Sequence, residues 1–462
     1  MTNGPLDGVV PLTGQVASIV DQAVVDARAA YAAARPNSAA QATAAAKVLP
    51  AGSTRSVLDF EPFPFRVAKA EGSLLHDVDG FSYVDLLGDY TAGLFGHNPP
   101  EVAEAVTGVL ERGWSLGALG SDEHRLAELL CDRFPSIEQI RFTNSGTEAN
   151  LMAISLARHS TGREKILIFD GAYHGGLLYF GAGGAPLRAP FEYVHCSYND
   201  LTSIEEAFER HGDDLACVLI EPMMGSGGGI RATTEFLSRL RQLCTDHTTT
   251  LIFDEVMTSR MSIGGAQVRL GITPDMTTLG KYLGGGMTFG AFGGPRDLMG
   301  AFDPARAGTL THGGTFNNNA ITMAVGAHAV ETLLTAEALD ELFERGESLR
   351  AELAARGRPY GVTATGWGSI VGLHPTEHDD LAANAVEVRR PSDLASIDDR
   401  VAELLFHGLL ARGYYIARRG FIALSLAVSD EQLAGFLAAF DEVLSELLDA
   451  AILREPLTNQ TR

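Results

Sequence analysis

Apolar residues recur along this chain in three patterns, and each predicts a different kind of element. From about Val16 to Lys47 they fall at helical spacing in an alanine-rich stretch, until LPAGSTR interrupts with proline and glycine; this predicts a helical arm. Between Phe65 and Leu87 they alternate with polar residues around Asp79 and Gly80, a pair suited to a hairpin turn, which predicts a small β element. From about Pro99 to Ala329, short apolar runs (RFTNS, KILIFD, ACVLIEP, TLIFDEV) are separated by helical stretches such as TEANLMAISLARH and TTEFLSRLRQLCTDH. That alternation predicts a mainly parallel sheet covered on both faces. The last third opens on the helical segment TLLTAEALDELFERGESLRAEL, closes on DEQLAGFLAAFDEVLSELLDAAIL, and encloses short strands near GSIVGLH and FIALSLA. The expected architecture is α/β: residues 1–98 form an arm and part of a small domain, 99–329 a large domain, and 330–462 a C-terminal α+β lobe.

Composition narrows the function classes. The 462 residues are 45% hydrophobic and 20% charged, the balance of a folded globular chain. Lys and Arg number 35 against 58 Asp and Glu, a net charge of −23, which argues against nucleic acid or an anionic membrane surface as partner. No apolar run reaches the roughly 18 residues of a membrane span. The start MTNGPLDGVV has neither the basic nor the apolar region of a leader, so a soluble, cytoplasmic protein is expected. Cys131, Cys196, Cys217 and Cys244 are widely spaced, predicting reduced thiols rather than a disulfide framework, and no zinc-ligand pattern occurs.

The candidate chemistry lies where the apolar runs stop, because ligands of open α/β sheets sit at the carboxyl ends of strands. Asn144, Ser145, Asp170, Glu221 and Asp254 all fall at such ends. Lysine occurs only at Lys47, Lys69, Lys165 and Lys281, and the first three have ordinary solvated settings. Lys281 lies between Gly280 and the run Gly284, Gly285, Gly286, where a bulky cofactor can approach and a desolvated amine can form a Schiff base; the competing reading is a loop-capping lysine. Asp254 ends a buried strand and needs a cation, which a pyridinium nitrogen would supply; otherwise it caps a helix. Ser145, Gly146 and Thr147 open a helix as a phosphate cradle would, although Ser145 with Glu148 also fits a capping box. Tyr173 in AYHGG is placed to stack on a planar ring, while His174 reads as an acid or base or as a structural histidine.

In this order the features resemble the fold-type I pyridoxal-phosphate enzymes, specifically the class III aminotransferases. The matching words are DVDG, GHNPPEV, FTNSGTEAN, YHGG, IEP, FDEV, TLGKYLGGG and GGTFNNN, spread from about Arg55 to Val428. STRSVL (53–58), FEPFP (60–64), YTAGLFGH (90–97), FDEVMTSR (253–260) and GTFNNN (314–319) look like the β-amino acid, or β-phenylalanine, aminotransferases within that class. The glutamate-1-semialdehyde 2,1-aminomutases are the related alternative.

The resemblance implies pyridoxal 5'-phosphate held as an aldimine on Lys281. Asp254 would face the ring nitrogen; Ser145, Gly146 and Thr147 the phosphate; Tyr173 and Val256 the two ring faces. Glu221 joins the cofactor-binding set. A homodimer is implied, with Thr315 reaching the phosphate across the interface. Arg55 would bind the β-amino acid carboxylate and Arg419 the opposite pocket and the 2-oxo acid, 2-oxoglutarate or pyruvate, in a ping-pong transamination. Arg418 stands where the family word has proline, so either arginine could face inward. The rivals are an aminomutase holding one substrate throughout and a non-catalytic cofactor-binding regulator. The arm has no expected role beyond packing at a dimer surface.

Overall fold

The computed structural model of the protein describes residues 15–181, 185–375, 388–394, 399–450 and 452–453; the opening decapeptide lies outside them. The arm is two helices, not one: α1 (Gln15–Ala34) and α2 (Pro36–Ala45). The chain breaks at Arg35 because Pro36 has no N–H and excludes its predecessor from helical backbone; Arg35 takes φ −128° and ψ 58°. Val20, Val24 and Tyr31 of α1 are buried, and the Arg28 guanidinium clasps Glu403 at 2.5 and 3.0 Å. The arm thus packs on its own chain's C-terminal third.

Strands β1 (Val67–Glu71), β2 (Leu74–Asp77) and β3 (Ser82–Asp85) follow as an antiparallel meander. Its hairpin turn holds Gly80 at φ 94°, a left-handed value that glycine takes without strain. The middle of the chain forms one seven-stranded sheet in the order β4 (Gln139–Thr143), β12 (Gly290–Gly294), β11 (Met276–Gly280), β10 (Thr250–Asp254), β7 (Leu215–Ile220), β5 (Lys165–Phe169), β6 (Glu192–Cys196). Every pairing is parallel except those of β12, which runs against both neighbours. The carboxyl ends of the other six strands therefore lie along one edge. All six residues of β7 are buried, as a central parallel strand requires. A two-residue pair, β8 (Met223–Met224) with β9 (Ile230–Arg231), stands apart.

Helices α3 (Pro100–Arg112), α4 (Ser121–Arg133), α5 (Gly146–Thr161), α6 (Leu201–His211), α7 (Thr234–Asp246), α8 (Gly265–Leu270) and α9 (Ala320–Thr332) complete this part. The C-terminal third contributes α10 (Ala336–Gly357), the antiparallel strands β13 (Val362–Trp367), β14 (Ile370–Pro375) and β16 (Phe421–Ala423), and helices α11 (Asp399–Ala411) and α12 (Asp430–Asp449). Its strand β15 (Tyr414–Tyr415) joins the N-terminal meander, pairing in parallel with β3. Arg260, 1% exposed, donates to the Leu424 carbonyl and ties the C-terminal sheet to the central one.

The glycines of β12 have a steric cause. A Cβ at Gly290 would stand 2.1 Å from the Ser145 carbonyl oxygen, whereas one on Gly108 in α3 would meet nothing within 4 Å. Gly290→Ala is expected to lower the melting temperature by forcing the α5 entry off the sheet. Gly108→Ala should instead stabilise by about 0.5–1 kcal/mol. Thermal melts of the two variants beside wild type check both signs.

Candidate active site

Five strand ends supply the site. After β4, Ser145 caps α5, its hydroxyl accepting from Glu148 N at 3.2 Å. Glu148 does not complete a reciprocal box with Ser145; its carboxylate accepts from Asn144 N at 2.8 Å, one residue further out. The first amides of α5, Gly146 and Thr147, have no acceptor within their own helix and leave a positive N-terminus facing outward. Small neighbours bring this end close to the others. A Cβ at Gly146 would lie 2.7 Å from Val256, one at Gly280 3.1 Å from Val256, and one at Gly175 2.0 Å from the Thr147 hydroxyl.

Asp254, at the end of β10, is 5% exposed. One oxygen accepts from Val256 N at 3.0 Å. The other accepts from Asn150 Nδ2 at 2.8 Å and His174 Nδ1 at 2.7 Å. Asn150 also donates to the His174 carbonyl at 3.0 Å and accepts from the Thr278 hydroxyl at 2.6 Å. Since a carboxylate only accepts, His174 presents Nδ1–H to it, and His174 Nε2 is buried without a hydrogen-bond partner. Among the described residues no lysine or arginine pairs with Asp254, so its buried charge is held by neutral or histidine donors alone. Glu221, after β7, spends its oxygens on the backbone amides of Tyr173 (2.9 Å) and Gly225 (3.0 Å). Burial pushes it up to about 7 against the pull of His174. Tyr173 above it is 43% exposed as a residue.

Lys281 leaves β11 in the left-handed region at φ 55°, uncommon for a residue with a side chain. Its amine donates to the Tyr90 carbonyl at 2.9 Å. Burial lowers the amine to about 8, opposed by Asp254 and Asp89 and assisted by Arg55. The remaining lysines behave as surface groups: Lys69 pairs with Glu71 at 2.5 Å. Lys165 is the first residue of β5 rather than a turn residue, and it meets Asp214 at 3.0 Å.

Two arginines reach this place from opposite ends of the chain. Arg55 meets Asp89 at 2.5 Å, both half-exposed. Arg419 donates to the Ser226 hydroxyl at 3.2 Å and lies 5.5 and 5.7 Å from the ring centres of Tyr90 and Phe421. Burial raises the Tyr173 hydroxyl, with Arg419 and Arg55 opposing. Arg418 points elsewhere, toward Glu403 of α11 at 3.8 Å. Thr315 lies on an exposed loop whose Phe316 is 67% exposed and whose Asn317 accepts from Asn144 at 2.9 Å.

The turn Gly88–Thr91 connects these groups; YTAGLFGH begins in it, but nothing in the sequence marked its backbone or Asp89. Its residues take φ 54°, 45°, 51° and 78° in succession, a run that side-chain-bearing residues avoid unless their surroundings impose it. Asp85 imposes it, one carboxylate oxygen accepting from Leu87 N and Gly88 N at 2.9 and 3.0 Å. The Tyr90 ring stacks on Phe421 at 5.5 Å and its hydroxyl donates to the Val57 carbonyl at 2.8 Å. A cavity of about 800 Å³ reaches Asp89 and is lined by Leu58, Phe60, Phe65, Phe95 and Met287; Lys281, Asp254 and Tyr173 are not among its walls.

A strand-end lysine with a lowered amine, an uncompensated buried aspartate and an open helix N-terminus define a Schiff-base enzyme of the sheet-edge type. The chain belongs to the class III aminotransferase family, whose model matches residues 59–444. A beta-phenylalanine transaminase of Variovorax paradoxus is 47% identical over 91% of this chain and 95% of its own. The crystal structure of a beta-phenylalanine aminotransferase from that organism superimposes with a TM-score of 0.90 at 45% identity, covering 95% of this chain and 100% of the other. A transaminase solved with PLP bound has a TM-score of 0.80 at 31% identity, over 90% and 98% of the two chains. A glutamate-1-semialdehyde aminomutase from Pseudomonas aeruginosa shares the fold, at 24% identity and a TM-score of 0.83 over 93% and 99% of the chains.

Enzymes of this class depend on pyridoxal phosphate, and the donor set fits it. Asp254, solvated by N–H groups yet unpaired with any lysine or arginine among the described residues, suits a protonated ring nitrogen. The α5 N-terminus suits a phosphate. The Lys281 amine reacts with a carbonyl only when neutral. Uptake of pyridoxal phosphate by the apo-protein, followed by absorbance, is therefore expected to accelerate as pH rises through about 8 and to level off above it. A lysine at the ordinary value of about 10.4 would still be accelerating there.

Proposed function

We propose that the enzyme transaminates β-amino acids, passing the amino group to a 2-oxo acid such as 2-oxoglutarate or pyruvate. The observation that carries this is the pair of arginines, Arg55 and Arg419, converging from separate segments on one turn, Arg55 at Asp89 and Arg419 over the ring of Tyr90, whose carbonyl accepts from the Lys281 amine. A transaminase binds a carboxylate in each half-reaction, and the planar guanidinium fork matches one. The relatives named for β-phenylalanine support the donor class.

Bound pyridoxal phosphate supplies an electrophilic carbon for the amine and a conjugated ring that stores an electron pair. In this reading Asp254 holds a proton at the ring nitrogen, oriented by Asn150 and His174. Ser145, Gly146 and Thr147 hold the phosphate, and Tyr173 and Val256 flank the ring. Glu221 fixes the Tyr173 backbone from below. Lys281 moves the proton at the substrate carbon, its lowered amine able to take and return one near neutral pH. Arg55 takes the carboxylate of the β-amino acid and Arg419 that of the 2-oxo acid, while Arg418, turned to Glu403, is left out of the pocket. The homodimer belongs to the same reading, with Thr315 contributed across the interface; the exposed Phe316 beside it supports a covered surface there.

The deciding experiment adds a β-aryl-β-amino acid to the holoenzyme without acceptor. Conversion to the pyridoxamine form with one equivalent of keto acid is the expected result. Inertness toward β-amino acids, with turnover of an amino aldehyde lacking any acceptor, would reassign the enzyme as an aminomutase. Lys281→Ala is expected to abolish turnover with the fold intact, as circular dichroism would record. Arg55→Ala should raise the donor KM about ten- to a hundredfold, the loss of one charge-assisted hydrogen-bond pair.

A further inference from the structure

The two arginines differ in what they already hold. Among the described residues Arg419 has no carboxylate partner; its contacts are the Ser226 hydroxyl and the Tyr90 and Phe421 rings. Arg55 holds the Asp89 carboxylate through a single Nη1–Oδ1 contact of 2.5 Å. The receptor assigned to the donor carboxylate is thus filled by the protein's own carboxylate. Both partners are half-exposed, so the pair is weak, and a substrate offering two oxygens to the guanidinium fork outcompetes one contact. Asp89 is also not a free surface residue. It sits at φ 45° in the turn fixed by Asp85, and the next carbonyl, that of Tyr90, accepts from the Lys281 amine.

We infer that Asp89 is a built-in stand-in for the substrate carboxylate: a counter-ion that keeps Arg55 aimed into the site between turnovers and is displaced by substrate, so that it sets carboxylate selectivity. This rests on the assignment of Arg55 to the donor carboxylate. The sign of the effect separates the inference from a structural role. A competitor weakens substrate binding, so removing its charge tightens binding; a strut that only positions Arg55 does the opposite. Selectivity follows from the same balance. A monocarboxylic acceptor such as pyruvate uses one arginine, whereas a dicarboxylate such as 2-oxoglutarate uses both and meets the competition from Asp89.

The test is Asp89→Asn in the holoenzyme. Asparagine keeps the size and tolerates left-handed backbone, so the turn survives. Calorimetric titration with 3-phenylpropionate, a carboxylate lacking the reacting amine, should give a Kd about two- to fivefold lower than wild type, with the donor KM lowered by a similar factor. The kcat/KM ratio of 2-oxoglutarate to pyruvate should rise. An unchanged or weaker Kd overturns the inference. Arg55→Ala, titrated alongside, separates the two levels: wild-type affinity there removes the Arg55 assignment itself. Lost affinity in Arg55→Ala without tightening in Asp89→Asn removes only the role of Asp89.

Discussion

A carboxylate cannot be buried without groups to solvate it, and Asp254 is where this chain meets that requirement. Its partners come from three directions: Asn150 from α5, His174 from the segment after β5, and the backbone of Val256 from its own strand end. Asn150 extends the network to Thr278 on β11, the strand that delivers Lys281. Satisfying one charge therefore fixes the relative positions of the helix terminus, the aromatic segment and the lysine. The donors neutralise none of the charge as lysine or arginine would. That leaves Asp254 suited to a cation arriving from outside; its charge pulls the Lys281 amine up, and burial still holds that amine at about 8.

The left-handed turn Gly88–Thr91 organises the opposite side of the site. Held at its base by Asp85 and at its tip by Tyr90 on Phe421, it offers a carbonyl to Lys281, a ring to Arg419 and a carboxylate to Arg55. Two of its residues, Asp89 and Tyr90, thus touch the Lys281 amine, Arg55 and Arg419. Backbone strain of this kind persists only where packing over-determines it. Gly88 contributes to that packing: a Cβ there would stand 2.7 Å from the Ala423 carbonyl oxygen on β16.

Much of the fold was legible because buried parallel strands leave continuous apolar runs; β4, β5, β7 and β10 were read in that way. Strands β11 and β12 were missed, since TTLG and GAFGG are polar or glycine-rich, and what they bury is backbone approach rather than side-chain area. The alanine spacing marks a helical arm but not its division at Pro36 into two helices. Lys281, Asp254 and the Ser145 cap could be read from their positions at strand ends. Asn150 lay inside a word that was read for its phosphate cradle, and nothing marked its amide as a ligand of Asp254. Asp89 gave no sign, and Tyr90 stood only as the first letter of YTAGLFGH, for a deeper reason: their contacts depend on a φ sign that neither residue type announces. The choice between Arg418 and Arg419 needed Glu403, a residue on a helix whose packing no local pattern encodes.

The parallel pairing of β3 with β15 carries a consequence for how the molecule comes into being. Residues of the arm and the meander meet partners from the far end of the chain: Arg28 of α1 meets Glu403 across a separation of 375 residues, and β3 pairs with β15. Contacts of such range form late, because closing so large a loop costs entropy before it yields any reward. Strands β4 to β12 lie within one contiguous stretch and have no such dependence. On the ribosome, the strands that deliver Ser145, Asp254 and Lys281 can pair while the strand and loop bearing Tyr414 and Arg419 are still unmade. The central sheet can thus form before the N-terminal meander is supplied with its fourth strand.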